Sequence, residues 1–460
     1  MSNQAKYDSL RERFAVFCFQ KYEYFLEDGM FFAKFNFSLC EEYQAGDRNN
    51  AIEFNPCFEI PARRFYQWEA IPKEILDILV FNIGMIELVS YWKIACPKKV
   101  VVKPYHLDDE QIKWWKKLYF NGLGEFFYVN GIETDFDDFM KIETDFSADA
   151  DCHESDFSFE ERTLVPVGGG KDSVVTLEAL REKIDIIPLI INPRGATRDC
   201  VNAAGFTEDD TVVINRTLDP VMLEMNKQGY LNGHTPFSAM LAFYTVLLGF
   251  ATGSRYIALS NESSANEPTV PDTEINHQYS KSVAFEDDFR SYISKYVNAD
   301  IQYFSFLRPL NELQIAKIFS RAKNYHRVFR SCNVGSKNDS WCGRCPKCLF
   351  TWLALSPFLK RDELAGIFGK DLLKDNELAA TLEKLDGTAE VKPFECVGTV
   401  GEVSACIEYI VQHDDNLQDT ILDGRTSKAE MSVGDYIGQF DEKNNLPALF
   451  EKILKEKLNG

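Results

Sequence analysis

The chain has 460 residues, 45% of them hydrophobic, and a net charge of −21, a composition typical of a globular protein with two or three domains. The acidic balance argues against nucleic acid as the main partner, because binding a polyanion depends on Lys and Arg side chains. Twelve cysteines and a polar N-terminus without a secretory signal predict a cytoplasmic location, where clustered cysteines bind metals rather than form disulfides.

Residues 1–131 are predicted to form a separate α+β domain. Hydrophobic periodicity favours two strands and one long helix, at 31–39, 100–103 and 73–95. Aromatic residues are frequent in the second half of this segment. They indicate either an aromatic core or, beside Lys93 and Lys116, a binding surface for a ligand that carries a flat base and phosphates.

Residues 132–162 are strongly acidic. They contain twelve Asp or Glu residues against only Lys141 and Arg162. Such a composition is typical of a solvated linker.

Residues 163–330 are predicted to form a nucleotide-binding domain, because strand and helix patterns alternate. The strands are expected at 163–167, 185–191, 211–215, 255–260 and 301–305. The helices are expected at 173–183, 196–204, 219–227, 236–252, 284–296 and 311–323. This alternation predicts an α/β fold with a doubly wound parallel sheet and ligands at the carboxyl ends of its strands. The uncharged run 235–254 is interpreted as a buried helix rather than a membrane span, and no membrane partner is expected.

The strand at 163–167 leads into the run GGGKDS and then into a helix. Glycines before a helix N-terminus are typical of a phosphate site, although a plain glycine turn has the same outline. The spacing excludes a Walker A loop and a dinucleotide fingerprint. The run resembles the S-G-G-x-D-S loop of the PP-loop ATP pyrophosphatases, with Gly168 where that family usually has Ser.

That resemblance implies a phosphate site for ATP, with Asp172 helping to hold Mg²⁺ and Lys171 either steadying the α-phosphate or lying at the surface. The loop residues concerned are Gly168, Gly169, Gly170, Lys171, Asp172 and Ser173. Asn192 and Asn261 follow two further predicted strands, so they are expected at the same edge of the sheet.

The last segment, 331–460, combines a cysteine cluster with helical patterns at 349–359, 378–385 and 446–458. The cysteines have the spacing C-x9-C-x2-C-x2-C, at Cys332, Cys342, Cys345 and Cys348. Four thiolates with tight C-x-x-C turns favour a structural Zn²⁺ site, and an iron–sulfur cluster is the alternative. The 7-cyano-7-deazaguanine synthases, which are also PP-loop enzymes, carry a similar cluster.

Eight runs spread over the chain resemble the UDP-N-acetylmuramoyl-L-alanyl-L-glutamate epimerase family. They are GMIELVSYWKIACP (84–97), GLGEFFYVNGI (122–132), PVGGGKDS (166–173), LNGHTPFSAM (231–240), SNESSANEP (260–268), NHQYSKS (276–282), WCGRCPKC (341–348) and KPFECVGT (392–399). The resemblance implies inversion of the terminal L-Glu of a UDP-muramoyl dipeptide, with ATP consumed and AMP and pyrophosphate released.

Such a reaction needs acid/base groups, and three candidates stand in these runs. His277 and Lys281 are four residues apart and would align if that stretch is helical. Cys396 is the third, either as a reactive thiol or as a small buried side chain. His234 is open to helix capping or substrate contact, and Glu262 is a further candidate.

Two other functions are compatible with the glycine loop and the cysteine cluster. One is a PP-loop synthase or amidase acting on a small carboxylic acid, which would depend on ammonia. The other is a non-catalytic nucleotide sensor, which would bind ATP without turnover. The synthase gives no role to a separate aromatic domain of about 130 residues before the loop, and the sensor would show no substrate-dependent release of pyrophosphate.

Overall fold

A computed structural model of the chain describes residues 2–41, 51–145, 157–270, 273, 275–389, 391–426 and 429–460. The strands found within these ranges are β1 (Val16–Glu27), β2 (Met30–Cys40), β3 (Ala51–Phe54), β4 (Cys57–Ile60), β5 (Lys99–Val102), β6 (Lys141–Thr144), β7 (Glu160–Pro166), β8 (Ile186–Ile191), β9 (Val212–Thr217), β10 (Ser254–Leu259) and β11 (Gln302–Ser305). Parallel and antiparallel pairs both occur, so the protein is an α/β protein of mixed sheet type.

The helices within the same ranges are α1 (Asn3–Arg13), α2 (Lys73–Trp92), α3 (Asp109–Gly122), α4 (Gly124–Asn130), α5 (Lys171–Leu180), α6 (Gly195–Ala203), α7 (Pro220–Lys227), α8 (Phe237–Thr252), α9 (Val283–Tyr296), α10 (Glu312–Arg321), α11 (Pro346–Leu355), α12 (Arg361–Phe368), α13 (Ala379–Leu385), α14 (Val400–His413), α15 (Val433–Ile437) and α16 (Ala448–Asn459). The helices predicted in the second half of the chain are confirmed, with ends shifted by a few residues.

The chain forms two compact units. Unit 1 comprises Met1–Glu160, Val213–Arg255 and Asp287–Gln302, and unit 2 comprises Glu161–Val212, Tyr256–Glu286 and Tyr303–Gly460. The division into four segments predicted from the sequence stays a prediction. Residues 146–156 of the predicted acidic linker lie outside the described residues.

Unit 1 contains a long hairpin, β1 and β2, whose turn residues Asp28 and Gly29 both have positive φ, as the type I′ turn of a two-residue hairpin requires. β1 pairs in parallel with β5, and β2 pairs antiparallel with β4. β4 in turn pairs antiparallel with β9. The sequence predicted a parallel sheet. The antiparallel pairing of β9 with β4 corrects this prediction, because β9 belongs to a mixed sheet. The four-residue β4 is too short to carry a periodicity that predicts this pairing.

The core of unit 1 is apolar and aromatic. Trp92, Trp115, Tyr119 and Phe126 are fully buried, which confirms the aromatic core, and Lys93 is buried as well. Among the described helices, α2 is long and apolar enough to cross a membrane, but 83% of its apolar stretch is buried, as in the core helix of a soluble protein. The apolar run 235–254 forms α8, whose residues from 239 onward are nearly all buried, so the expected buried helix is confirmed.

Unit 2 contains the parallel pair β7 and β8, with β10 next to β7 and β11 next to β10. Its core continues into the C-terminal helices, where Trp352 and Leu355 are fully buried. The helical C-terminal part is thereby confirmed. This unit contains both the glycine loop between β7 and α5 and the cysteine cluster, whose last member, Cys348, lies in the first turn of α11.

Candidate active site

The glycine loop makes a sharp turn between β7 and α5. Gly169 has φ of +79°, and a Cβ there would lie 3.0 Å from the backbone of Ala196. Only glycine meets both conditions without strain. Gly168, by contrast, is exposed, and the space around its Cα would admit a side chain.

Lys171 is a buried residue, so the alternative of a surface lysine is wrong. Only 2% of it is exposed, and its ammonium group contacts the carboxylates of Asp172 and Glu312. Burial alone would lower the pKa of Lys171, but the two carboxylates outweigh burial and raise it. Lys171 therefore stays charged and is held by protein groups.

Asp172 and Ser173 lie in the first turn of α5, where Asp172 is half-buried and Ser173 is buried. Burial raises the pKa of the Asp172 carboxyl, yet Lys171 and then Lys347 outweigh burial and lower it. Lys281 adds to this effect. The Ser173 hydroxyl donates to the Gly170 carbonyl oxygen at 3.0 Å. Asp172 is thus a carboxylate at neutral pH, as a ligand for Mg²⁺ requires.

Asn192 and Asn261 follow β8 and β10. Asn192 is exposed and has φ of +49°, a left-handed conformation that Asn tolerates better than most residues. The Asn261 side-chain amide donates to the Ser305 hydroxyl at 3.0 Å, at the end of β11. Both residues therefore lie at strand ends, as the strand pattern predicts.

The three acid/base candidates come together in unit 2. The Lys281 ammonium donates to the Cys396 sulfur at 3.0 Å, although 115 residues separate them. His277 also hydrogen-bonds to the Cys396 side chain. The stretch is not α-helical, since only a 3₁₀ turn, Tyr279–Lys281, forms in it, so the condition for alignment along a helix is not met. Cys396 joins the two residues instead.

These contacts make Cys396 a thiolate at neutral pH. Burial alone would raise its pKa, but Lys281 and Lys347 lower it, with His277 contributing, to about 5. The same ion pair raises the pKa of Lys281 against the effect of burial. The interpretation of Cys396 as an inert apolar side chain is therefore disfavoured.

Cys396 is expected to react with iodoacetamide at pH 6. With a pKa of about 5 it is roughly 90% thiolate at that pH, against about 0.3% for an ordinary cysteine. Because the pKa is lowered, reactivity is present above pH 5 and falls as the pH drops through this value. Mass spectrometry of the alkylated peptide between pH 4 and 8 measures the profile. Lys281→Met should move the midpoint upward, and a wild-type midpoint near 8.5 would contradict the assignment.

Arg308 positions the loops that carry these groups, and sequence analysis missed it. It is fully buried, and its guanidinium donates to the backbone carbonyls of Glu262, at 2.6 Å, and Lys281. It also pairs with Glu286 at 3.3 Å. Arg308 comes three residues after β11. Ligands of α/β proteins bind at the carboxyl ends of the strands, so this position could have identified Arg308 as a candidate.

Glu312 and Glu402 form a second missed group. Burial raises the pKa of the Glu312 carboxyl, and the ion pair with Lys171 opposes this effect. The Glu402 carboxylate accepts the backbone N–H of Glu312 at 2.7 Å and caps α14 through Thr399. Both lie in the first turn of a helix, where acidic residues are common, so their position alone does not mark them as site residues.

The cysteine cluster has the geometry of a site for a single metal ion. The sulfurs of Cys332, Cys342, Cys345 and Cys348 all lie within 4.8 Å of one another. Three of the pairs are 3.5 to 3.8 Å apart. A tetrahedral Zn²⁺ with Zn–S bonds of about 2.3 Å requires separations of about 3.8 Å. The donor set therefore fits zinc.

The cysteine segment touches both other parts of the candidate site. Before the first cysteine, the Arg330 backbone N–H donates to the Gly169 carbonyl at 2.7 Å. Between the last two cysteines, the Lys347 N–H donates to the carboxylate of Glu395, beside Cys396, at 3.1 Å. A metal in the cluster would thus hold two loops of the candidate site in place.

His234 belongs to unit 1. Its Nδ1 lies 3.2 Å from a carboxylate oxygen of Glu125. Lys93 fixes the same loop by donating to the carbonyl of Gly233 and, at 3.3 Å, to the hydroxyl of Thr235. His234 is therefore an oriented, half-buried side chain rather than a simple helix cap.

Comparison with known proteins places the chain in a family. Residues 8–306 match the family model described as MurL N-terminal domain, and residues 327–435 match the MurL C-terminal domain. A protein of Xanthomonas oryzae pv. oryzae is 36% identical over 74% of this chain and 75% of its own length. Proteins of Micromonospora sp. (35% identity, 71% and 73% coverage) and Salinispora tropica (36%, 68% and 69%) are also similar. All three are named UDP-N-acetyl-alpha-D-muramoyl-L-alanyl-L-glutamate epimerase. This chain belongs to the MurL epimerase family.

Proposed function

We propose that this protein inverts the terminal L-Glu of UDP-N-acetyl-alpha-D-muramoyl-L-alanyl-L-glutamate to D-Glu, in the cytoplasmic synthesis of peptidoglycan precursors. ATP is consumed, and AMP and pyrophosphate are released. Family membership supports the substrate and the inversion. The observation that carries the chemistry is the Lys281–Cys396 ion pair, whose Lys281 also lowers the pKa of Asp172 in the glycine loop.

Activation is required because the α-proton beside an ionised carboxylate is very weakly acidic. Removing it would build a second negative charge next to the first. In the proposed reaction the substrate carboxylate attacks the α-phosphorus of ATP, pyrophosphate leaves, and the resulting acyl-adenylate has lost the carboxylate charge. The α-carbanion is then stabilised as an enolate, and hydrolysis to AMP makes the cycle directional.

The glycine loop and α5 form the proposed phosphate site. A glycine turn between a parallel strand and a helix N-terminus supports a PP-loop arrangement in this part of unit 2. Asp172 would help to hold Mg²⁺, which neutralises the leaving pyrophosphate. Lys171 would act at the α-phosphate only if its contact with Glu312 opens, so its first role is to keep α5 in place.

Cys396 is the proposed base. Its sulfur is 3.0 Å from the Lys281 nitrogen, too close for an α-carbon to fit between them. Lys281, Cys396 and His277 therefore act as one unit on one face of the α-carbon. In this unit the thiolate takes the proton, and Lys281 and His277 keep the sulfur ionised.

The cysteine cluster is the proposed site of a structural Zn²⁺. Four sulfurs complete a tetrahedral shell and leave no position for a reacting water. When bound, the ion would link the four cysteines of the segment to one another and would take no part in acid or base chemistry.

Reaction in D₂O with chiral analysis of the product glutamate tests the proposed function. D-Glu carrying deuterium at the α-carbon is expected, together with AMP and pyrophosphate. Release of AMP only in the presence of ammonia would instead favour a PP-loop synthase, and ATP binding without turnover would favour a nucleotide sensor.

Asp172→Ala and Ser173→Ala are expected to reduce pyrophosphate release by about 100- to 1,000-fold, because each removes a group proposed to stabilise charge on the phosphates. The melting temperature should change little in the Ser173 variant, because among the described residues its hydroxyl bonds only to the carbonyl of Gly170. Exposed Asp209 provides the matched control, as Asp209→Ala. Near wild-type pyrophosphate release in either loop variant would exclude this loop as the phosphate site.

A further inference from the structure

Ser331 contributes a hydroxyl group to the glycine loop from a distant part of the chain. It is 93% buried, and its Oγ accepts the backbone N–H of Lys171 at 3.2 Å. The same oxygen lies 3.0 Å from the position that a Cβ would occupy at Gly170. The hydroxyl thus stands at the first turn of α5, where a phosphate is proposed to bind.

The hydrogen of this hydroxyl is available for a ligand. Within the described parts of the chain, the bond from Lys171 is the one hydrogen bond of the Ser331 side chain, and it uses an oxygen lone pair. Ser173 differs, because its hydroxyl already donates to the Gly170 carbonyl. A buried hydroxyl that accepts but does not donate is incompletely satisfied.

The glycine loop itself lacks a hydroxyl at its first position. Gly168 stands there, exposed and with open space around it. We propose that Ser331 is a phosphate-binding residue that donates its hydroxyl hydrogen to a phosphate oxygen of the bound nucleoside triphosphate. This assignment depends on the proposed ATP site at the same loop.

Two contacts hold Ser331 over the loop. Arg330, its neighbour, donates its backbone N–H to the Gly169 carbonyl at 2.7 Å. Cys332, on the other side, has a sulfur that accepts the N–H of Gly335 at 3.0 Å and belongs to the cysteine cluster. The hydroxyl is therefore fixed from both directions before ATP arrives.

Ser331→Ala is expected to weaken ATP binding by about 10- to 100-fold, the effect of losing one hydrogen bond to a charged group. Isothermal titration calorimetry with ATP and Mg²⁺ measures the dissociation constant of the full-length protein. Ser320→Ala is the matched control, because within the described ranges that half-buried hydroxyl donates only to a carbonyl of its own helix α10. Unchanged ATP affinity in Ser331→Ala would overturn the assignment.

A rescue experiment separates phosphate binding from a structural role. Gly168→Ser places a hydroxyl in the open space at the first loop position, and in the Ser331→Ala background it should restore at least part of the ATP affinity. A purely structural Ser331 predicts no rescue and a lowered melting temperature in both variants. If wild type itself binds no ATP, the proposed function fails too. If wild type binds ATP and Ser331→Ala binds equally well, only the assignment of Ser331 fails.

Discussion

Replacing Cys396 with alanine is expected to abolish inversion while AMP formation continues. Adenylation needs the glycine loop and the substrate carboxylate, whereas inversion also needs the thiolate that Lys281 holds at 3.0 Å. Loss of a general base typically costs about 100- to 10,000-fold. AMP release and the chirality of glutamate are measured in the same reaction. AMP should still form, while hydrolysis of the adenylate should return the L-Glu substrate uninverted.

Two further variants test the partners of this thiolate. Lys281→Met and His277→Asn remove the groups that keep Cys396 ionised, so both should lower inversion more than AMP formation. Because only the base on one face of the α-carbon is affected, the D-Glu epimer of the substrate, supplied with ATP, should still exchange its α-proton with D₂O through the other face. Cys57→Ala is the control, since Cys57 lies on β4 in unit 1.

Two different results would contradict the assignment of these three residues as acid/base groups. Loss of AMP formation in all three variants would move these residues to the nucleotide or carboxylate site. Full inversion in all three would mean that the bases lie elsewhere, with His234 and Glu262 as the next residues to change.

Replacing Cys345 with serine is expected to remove the bound metal and to lower the melting temperature by about 10 °C or more. Metal binding at such a site is part of the folding free energy, and losing it costs about 4 kcal/mol or more. ATP affinity should fall as well, because Arg330 and Ser331, next to Cys332, bond to the glycine loop. Elemental analysis, thermal unfolding and calorimetry measure the three effects.

Cys57→Ser controls for the loss of a thiol outside the cluster and should keep one zinc ion per chain. Wild-type protein purified without chelators and found free of zinc would contradict the zinc assignment. A Cys345→Ser variant with normal zinc content would exclude this cysteine as a ligand.

Local patterns predicted much of the fold and of the candidate site. The β7–loop–α5 unit follows from an apolar run, three glycines and a helix-forming segment, all within about twenty residues. Three of the cysteines follow from C-x-x-C spacing, which is typical of a metal site, and the fourth is separated from them by nine residues. These features are local, so neighbouring residues suffice to determine them.

Pairing between distant segments could not be predicted in the same way. The antiparallel contact of β4 with β9 joins strands more than 150 residues apart, and four residues carry too little periodicity to specify a partner. The strand alternation predicted an α/β class correctly. It did not predict which strands run antiparallel, because direction depends on the path of the connections.

The sequence by itself determined that a glycine loop, a cysteine cluster and candidate acid/base side chains exist in this protein, because each depends on residue type and short spacing. Only the tertiary structure decided their state. It buried Lys171 against Glu312, 141 residues away, and set Ser331 over the glycine loop from 160 residues away. It also brought Lys281 to Cys396. The physical reason is that burial and neighbouring charge, which set ionisation and hydrogen bonding, are properties of the packed chain rather than of its local sequence.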